Sequence, residues 1–252
     1  MYKDPRPAES FRRFHERARR RGPDWVYTLA RVLVTPWMLL PYRLRCIDSD
    51  NLPPTGPAII APNHFSFLDH FFVAFYQRRR LQFVAKSQLF RWPMRFFYSH
   101  AGVFPVRRGQ RDDEAFATAH AVLRRGGVVV MYAEGGRSRS EELGEPRSGV
   151  GRLALESGVP VVPTAIAGSA RAREWRHGRF PKVTVQYGSP VRFERVEHPT
   201  REQAQTASEQ IFAYTRELYE SLQHGGRARA VRAARAARHT AETVRRRRPL
   251  PE

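Results

Sequence analysis

The chain has 252 residues, with 44 Lys+Arg against 24 Asp+Glu and a formal net charge of +20. That length holds one large domain or two small ones, and a content of 41% hydrophobic and 12% aromatic residues excludes wholesale disorder. The one cysteine, Cys46, excludes an internal disulfide and a Cys-rich metal site, while the charge selects anionic partners: nucleic acid, a phospholipid surface or phosphorylated small molecules.

Residues 1–24 carry eight basic and four acidic side chains, a net +4. They lack the apolar stretch and small-residue cleavage site of a secretory signal. Residues 25–42 (WVYTLARVLVTPWMLLPY) are the one long apolar segment. Arg31 interrupts it, Pro36 kinks or breaks a helix, and it falls short of the ~20 apolar residues a spanning helix needs. Trp25, Tyr27, Trp37 and Tyr42 are amphipathic rings that favour a bilayer interface. Two readings fit: a monotopic segment lying on the membrane, or a core helix broken at Pro36. Basic residues on both flanks favour the membrane. Residues 1–44 thus read as a basic N-terminus with a membrane-associated helical segment.

Short apolar runs of strand type follow at 58–61, 81–85, 103–106, 128–132, 159–166 and 183–187. Helical patterns at 66–77, 112–124 and 149–156 fall between most of them. This alternation predicts an α/β domain with a mixed, largely parallel sheet flanked by helices. Gly149-Val150-Gly151-Arg152-Leu153-Ala154 faintly mimics a dinucleotide fingerprint, but no convincing strand precedes it and it reads as a helix start. A last helix runs from about Thr200 to Leu222, opened by the capping box Thr200/Gln203. Ile211, Phe212, Leu218, Tyr219 and Leu222 give it an apolar face. The compact domain is then 45–223. Residues 224–252, nearly all Arg and Ala, hold nine Arg against two Glu, a net +7. They read as a disordered tail or a basic helix formed on an anionic surface.

Three segments carry chemistry. In Asn63-His64-Phe65-Ser66-Phe67-Leu68-Asp69, His64 and Asp69 meet if the histidine sits in a loop and the aspartate in the first helical turn after it. Asp69 then accepts the Nδ1 proton and leaves Nε2 free as a base. Ser66 and Asp69 equally read as a helix-capping pair. Gly102–Gly109 is a short strand running into Arg107 and Arg108. Val128–Ala133 is a buried strand that ends in Glu134-Gly135-Gly136-Arg137-Ser138-Arg139-Ser140. Ligands bind at the carboxyl ends of strands in open α/β sheets, where glycine admits an anion to the backbone and arginine offers a fork for phosphate. A solvated polar turn is the alternative. Val159–Ile166 alone is a structural strand.

With these segments in order, residues 45–195 resemble the 1-acylglycerol-3-phosphate acyltransferase family of glycerolipid acyltransferases. Asn63, His64 and Asp69 match its N-H-x-x-x-x-D motif. Gly102–Gly109 matches its second motif, with the family arginine on Arg108. Glu134, Gly135, Arg137 and Ser138 match the third motif, usually F-P-E-G-T-R-S, where Gly136 replaces the threonine. Pro163 in Val159–Ile166 matches the fourth.

The resemblance implies an enzyme that moves a fatty acyl group from a thioester to the free hydroxyl of a lysophosphatidic-acid-like acceptor, giving phosphatidic acid in phospholipid biosynthesis. It implies His64 and Asp69 as catalytic residues, with Asn63 and Pro163 in support. Arg108, Glu134, Gly135, Gly136, Arg137 and Ser138 would bind the acceptor phosphate. No metal or cofactor is implied; the thioester of coenzyme A or acyl carrier protein is a co-substrate. Glycerol-3-phosphate, another lysophospholipid or a glycolipid are alternative acceptors. Partners are the two lipid substrates and an anionic membrane surface, on the cytoplasmic face and monotopic or peripheral. A nucleic-acid-binding protein or a non-catalytic membrane scaffold are readings of a different class. No nucleic-acid motif supports the first, and the intact His64/Asp69 pair opposes the second. Oligomeric state stays open.

Overall fold

The strand Ala58–Pro62 (β2) is Ala-Ile-Ile-Ala-Pro and is buried along its whole length. A run with no polar residue belongs between two apolar layers, and β2 lies at the centre of a seven-stranded sheet. The structure is a computed structural model and describes residues 4–109, 112–138 and 141–247, with side chains as far as residue 236. The other strands are β1 (Arg45–Ile47), β3 (Leu81–Lys86), β4 (Val103–Val106), β5 (Val128–Val130), β6 (Val161–Ala167) and β7 (Thr184–Tyr187). Their order is β1-β7-β6-β2-β5-β3-β4. All neighbours pair parallel except β6 and β7. The mixed, largely parallel sheet expected from the alternation is therefore present.

The period of two along the strands sorts the core into two faces. Ile59, Val129 and Val161 face α5 (Asp113–Arg124), α6 (Gly149–Ser157) and α7 (Arg201–Arg247). Ile60, Val130 and Val162 face α2 (Trp25–Tyr42) and α3 (Asp69–Phe75). The capping box of α7 is formed: Gln203 N–H donates to Thr200 Oγ1 at 3.2 Å, and Thr200 N–H to Gln203 Oε1 at 2.8 Å. The glycine-rich segment at 149 opens α6, as read from the sequence.

Both ends of the chain depart from the expected boundaries. Residues 4–44 are part of the same body. Helix α1 (Arg12–Arg20) buries Phe14, His15 and Ala18. Helix α2 buries Val26, Tyr27, Met38 and Tyr42. It also runs unbroken through Pro36 and Pro41, correcting the expected break. The bond that Pro36 forgoes is to the carbonyl of Val32, an exposed residue whose carbonyl water can serve. Arg31, which interrupts the apolar segment, donates to the Phe75 carbonyl at the end of α3 at 3.1 Å.

At the other end, Gly226 (φ 68°, ψ 161°) breaks α7. The helix resumes, and Ala230 is buried with Ile47, Phe65 and Tyr219. Arg227 donates to Thr184 Oγ1, the Arg43 carbonyl and the Val183 carbonyl at 2.7–2.9 Å. The packed body thus extends past residue 223, and a disordered reading from 224 is corrected at its start. The last arginine of the basic run, Arg248, lies outside the described residues. The sequence pattern also missed β1, α1 and α4 (Met94–His100), which are short or strongly charged.

Helix α1 docks through a buried histidine. His15 Nδ1 lies 2.9 Å from Thr118 Oγ1. That hydroxyl donates to the Glu114 carbonyl, so it accepts from His15 Nδ1–H. Burial lowers the His15 pKa from 6.5 to about 4. Protonation is then easier in the unfolded chain, so stability is complete above pH 6.5 and is lost as pH falls toward 4. Thermal unfolding by circular dichroism should show Tm declining across that window, and His15→Gln should flatten part of the decline.

Candidate active site

Strand β2 delivers Asn63 and His64 beyond its carboxyl end. Asn63 continues the ladder with its side chain: Oδ1 accepts from Ile166 N–H at 2.7 Å, and Nδ2 donates to the Ile166 carbonyl at 3.1 Å. The next residue is gripped on both sides of its backbone. His64 N–H donates to Glu134 Oε1 at 2.8 Å, and its carbonyl accepts from Ser138 N–H at 2.8 Å. The ring of His64 stacks on Tyr132, with centroids 3.9 Å apart and planes 22° from parallel.

His64 Nδ1 lies 2.9 Å from Asp69 Oδ2. The same oxygen accepts from the N–H groups of Phe65 and Ser66, each at 2.8 Å. Leu68 N–H donates back to Ser66 Oγ at 3.2 Å. The histidine-orienting contact is therefore present, on an oxygen that also takes two N–H groups of the turn, while the helix that opens at Asp69 has no side-chain cap. With Nδ1 committed as donor, Nε2 carries the lone pair. His64 can then act as a base toward the cleft it lines.

That cleft, of about 790 Å³, is bordered by His64, Lys86, Arg108, Tyr132, Arg137 and Ser138. Among the described residues, Arg108, Arg137 and Arg147 have no carboxylate partner. Burial lowers the pKa of Arg108, and the charges of Arg137 and Arg147 lower it further. Arg108 and Arg137 line this cleft and Arg147 lines the two cavities beside it, so the three guanidiniums suit a multiply charged anion. The turn between them needs its first glycine: Gly135 has φ +64°, and a Cβ there would lie 2.7 Å from Arg147 Cδ. Gly136 needs no glycine on this ground, since its nearest such neighbour is Arg108 Nη1 at 3.6 Å.

Glu134 departs from its expected place among the phosphate-binding groups. It is buried, and its two oxygens accept from His64 N–H and Gly144 N–H at 2.8 and 2.9 Å. A carboxylate facing phosphate would repel it, whereas this one joins two loops. Burial raises its pKa. Pro163 is buried in β6 opposite Ala61, one strand from the cleft, where its carbonyl accepts from Gly188 N–H at 2.7 Å.

Sequence reasoning missed Arg147, His70 and an apolar pocket. Arg147 sits in a loop without a motif. The pocket, of about 120 Å³, lies between α2, α3 and α4 and is lined by Tyr27, Met38, Phe71, Phe75 and Tyr98. It meets the polar cleft at Phe67 and His70, which border both. His70 Nδ1 donates to the Phe67 carbonyl at 3.0 Å, and burial pushes its pKa down to about 4. It is neutral at physiological pH. The adjacency of His70 to Asp69 is the one sequence signal that marked it.

Residues 43–167 match the family model described as Acyltransferase. The chain belongs to the acyltransferase family. The chain is 28% identical over 134 residues to a chloroplastic 1-acyl-sn-glycerol-3-phosphate acyltransferase of Arabidopsis thaliana, covering 52% of this chain and 37% of that one. It is 28% identical to a probable 1-acyl-sn-glycerol-3-phosphate acyltransferase of Mycoplasma genitalium, over 66% of each chain. It is 31% identical to the lyso-ornithine lipid O-acyltransferase of Pseudomonas aeruginosa over 59% of each. The chain spans about two fifths of the length of the plant and algal relatives it matches first. Its fold is that of the crystal structure of the 1-acyl-sn-glycerophosphate acyltransferase PlsC from Thermotoga maritima. The TM-score is 0.56 at 20% identity, covering 84% of this chain and 83% of that one.

In this chain the Glu134 carboxylate is a tie between the His64 loop and the loop at Gly144. Glu134→Gln puts an amide donor against one of two backbone donors. Chemical denaturation should show a loss of about 1–3 kcal/mol, the cost of one buried unpaired donor.

Proposed function

We propose that this acyltransferase moves a fatty acyl group from a thioester to the free hydroxyl of a lysophosphatidic-acid-like acceptor, giving phosphatidic acid. One observation carries the reading: the His64–Asp69 pair stands where an arginine-rich polar cleft meets an apolar pocket. An acceptor with a phosphate next to its reacting hydroxyl needs the first, and an acyl chain needs the second. Burying the chain supplies about 0.8 kcal/mol per CH₂.

His64 Nε2 takes the proton from the acceptor hydroxyl as that oxygen attacks the thioester carbonyl. Asp69 holds the ring and stabilises the imidazolium. The C–O bond forms, the C–S bond breaks, and the leaving thiolate recovers the proton from His64. Base assistance of this kind is worth ~10²–10⁴-fold. Arg108, Arg137 and Arg147 hold the acceptor phosphate and so convert the encounter into a positioned reaction. No acyl-enzyme is invoked, since Cys46 sits on β1, three strands from β2. The reaction as drawn uses no metal or cofactor, and the thioester of coenzyme A or acyl carrier protein enters as co-substrate.

The enzyme works lying on the cytoplasmic face of the membrane. Helix α2 exposes Trp25, Leu29, Val32, Leu33 and Leu40, and α4 with the turn before it exposes Trp92, Phe96 and Phe97. Among the described residues no helix is long and apolar enough to cross a membrane. Arg-rich flanks add attraction to anionic lipid, about 1 kcal/mol per residue near the surface. Nucleic acid has no part in this reading.

The acceptor is tested by a panel with labelled acyl thioester: lysophosphatidic acid, glycerol-3-phosphate, a neutral glycolipid and lyso-ornithine lipid. Lysophosphatidic acid should be preferred, because an ornithine headgroup brings an amine toward three guanidiniums. His64→Ala should lower turnover at least about 10²-fold with an unchanged circular dichroism spectrum. Arg137→Ala should raise the acceptor KM roughly tenfold, the loss of one charge-assisted contact; an effect on the thioester KM alone would count against the assignment. In sedimentation with anionic vesicles, Leu33→Glu with Leu40→Glu should move the enzyme from pellet to supernatant.

A further inference from the structure

Two buried polar atoms beside His64 have no partner, and each supplies what the other lacks. Asp69 is fully buried, and its three hydrogen bonds all fall on Oδ2. Oδ1, an acceptor, has none. Tyr132 stacks on the imidazole that Asp69 orients, and its hydroxyl is also buried without a partner. Paired, the two satisfy each other. Unpaired, each costs the desolvation of a polar group in the interior.

The other groups around Asp69 are already committed. His70 turns its Nδ1 proton to the Phe67 carbonyl. Both oxygens of Glu134 accept from backbone. Tyr187, which faces Tyr132 from β7, donates its hydroxyl to the Val73 carbonyl at 2.6 Å. Arg137, which faces His70, lies at the exposed rim. His64 has spent Nδ1 on Oδ2. The negative charge of Asp69 acts on Tyr132 and, after burial, adds to the rise in its hydroxyl pKa, so the group stays protonated and keeps its hydrogen to donate.

We propose that Tyr132 is a positioning residue whose hydroxyl reaches Asp69 Oδ1 across one bridging water, and so sets how strongly Asp69 stabilises the imidazolium of His64. The inference deepens the acyl-transfer reading and rests on it for its role in turnover. The contact itself does not depend on that reading. A hydrogen bond to Oδ1 draws charge from the carboxylate and weakens its hold on the Nδ1 proton. Tyr132 also stands where the third motif resembled by this chain usually has phenylalanine, so the hydroxyl is an addition to a ring that suffices for stacking.

Tyr132→Phe is the test, because it keeps the ring and removes the donor. NMR titration of the His64 imidazole should show its pKa rising by roughly half a unit or more. The acidic limb of kcat/KM should move to higher pH by the same amount, with the KM values for both substrates unchanged. The urea midpoint should fall, since the bridge to Oδ1 is lost. If instead the His64 pKa is unmoved and the midpoint is unchanged or higher, the hydroxyl has no partner and the proposal is overturned. The NMR and urea measurements need no substrate. An enzyme that transfers no acyl group from any thioester would refute the proposed function and leave this contact still decided by them.

Discussion

His64 is held by its backbone before its side chain does anything. Its N–H rests on Glu134 and its carbonyl on Ser138 N–H, so the loop after β2 and the loop after β5 are fastened at this one residue. Strands β2 and β5 are neighbours in parallel register, which brings their carboxyl ends side by side. Glu134 then reaches on to Gly144, and a Cβ there would lie 2.7 Å from its Oε2. A buried carboxylate satisfied by two N–H groups fixes geometry at modest net energy, because its value lies in the cost of leaving it unpaired. Everything else at the site uses that frame: the ring stacked on Tyr132, the three arginines and the mouth of the apolar pocket.

Two cavities of opposite character meet at His70. The apolar pocket is closed by α2 and α3 on one side of the sheet, while the arginines project from loops at its carboxyl edge. A neutral His70 suits that border. Its pKa near 4 lets it sit among Phe67, Phe83 and Tyr132 without bringing a charge to the apolar side. The amphiphilic substrate proposed for the enzyme has the same polarity profile as the site.

Much of this was legible in the residues. Strands such as Val128–Val130 and helices such as α5 announce themselves by run and period, and the sheet's mixed character follows from their alternation. His64 and Asp69 were legible as a pair, because five residues of spacing can be closed by a loop and one turn. Glu134 was misplaced. A motif lists residue types and carries no direction, so a glutamate that points into the core reads like one that points at a ligand. Arg147 was silent for a related reason: it reaches the site by folding back against Gly135, a contact set by tertiary structure. The two ends misled through composition. Nine arginines suggest solvent, yet Arg227 is spent on three oxygens of the body, and Pro36 suggests a break where an exposed carbonyl tolerates the missing bond.

Those two ends also settle a problem that every open sheet has. The outer strands are β4 and β1. Helix α1 lies beside β4, with His15 and Ala18 against Phe104, and the segment after Gly226 lies over the β1 side, where Arg227 grips the chain entering β7. An uncovered outer strand is a template for pairing with another chain. The segments that look like charged appendages thus pack beside the two outer strands of the sheet. Trimming either of them would uncover apolar side chains of the body, Phe104 on one side and Ile47 on the other.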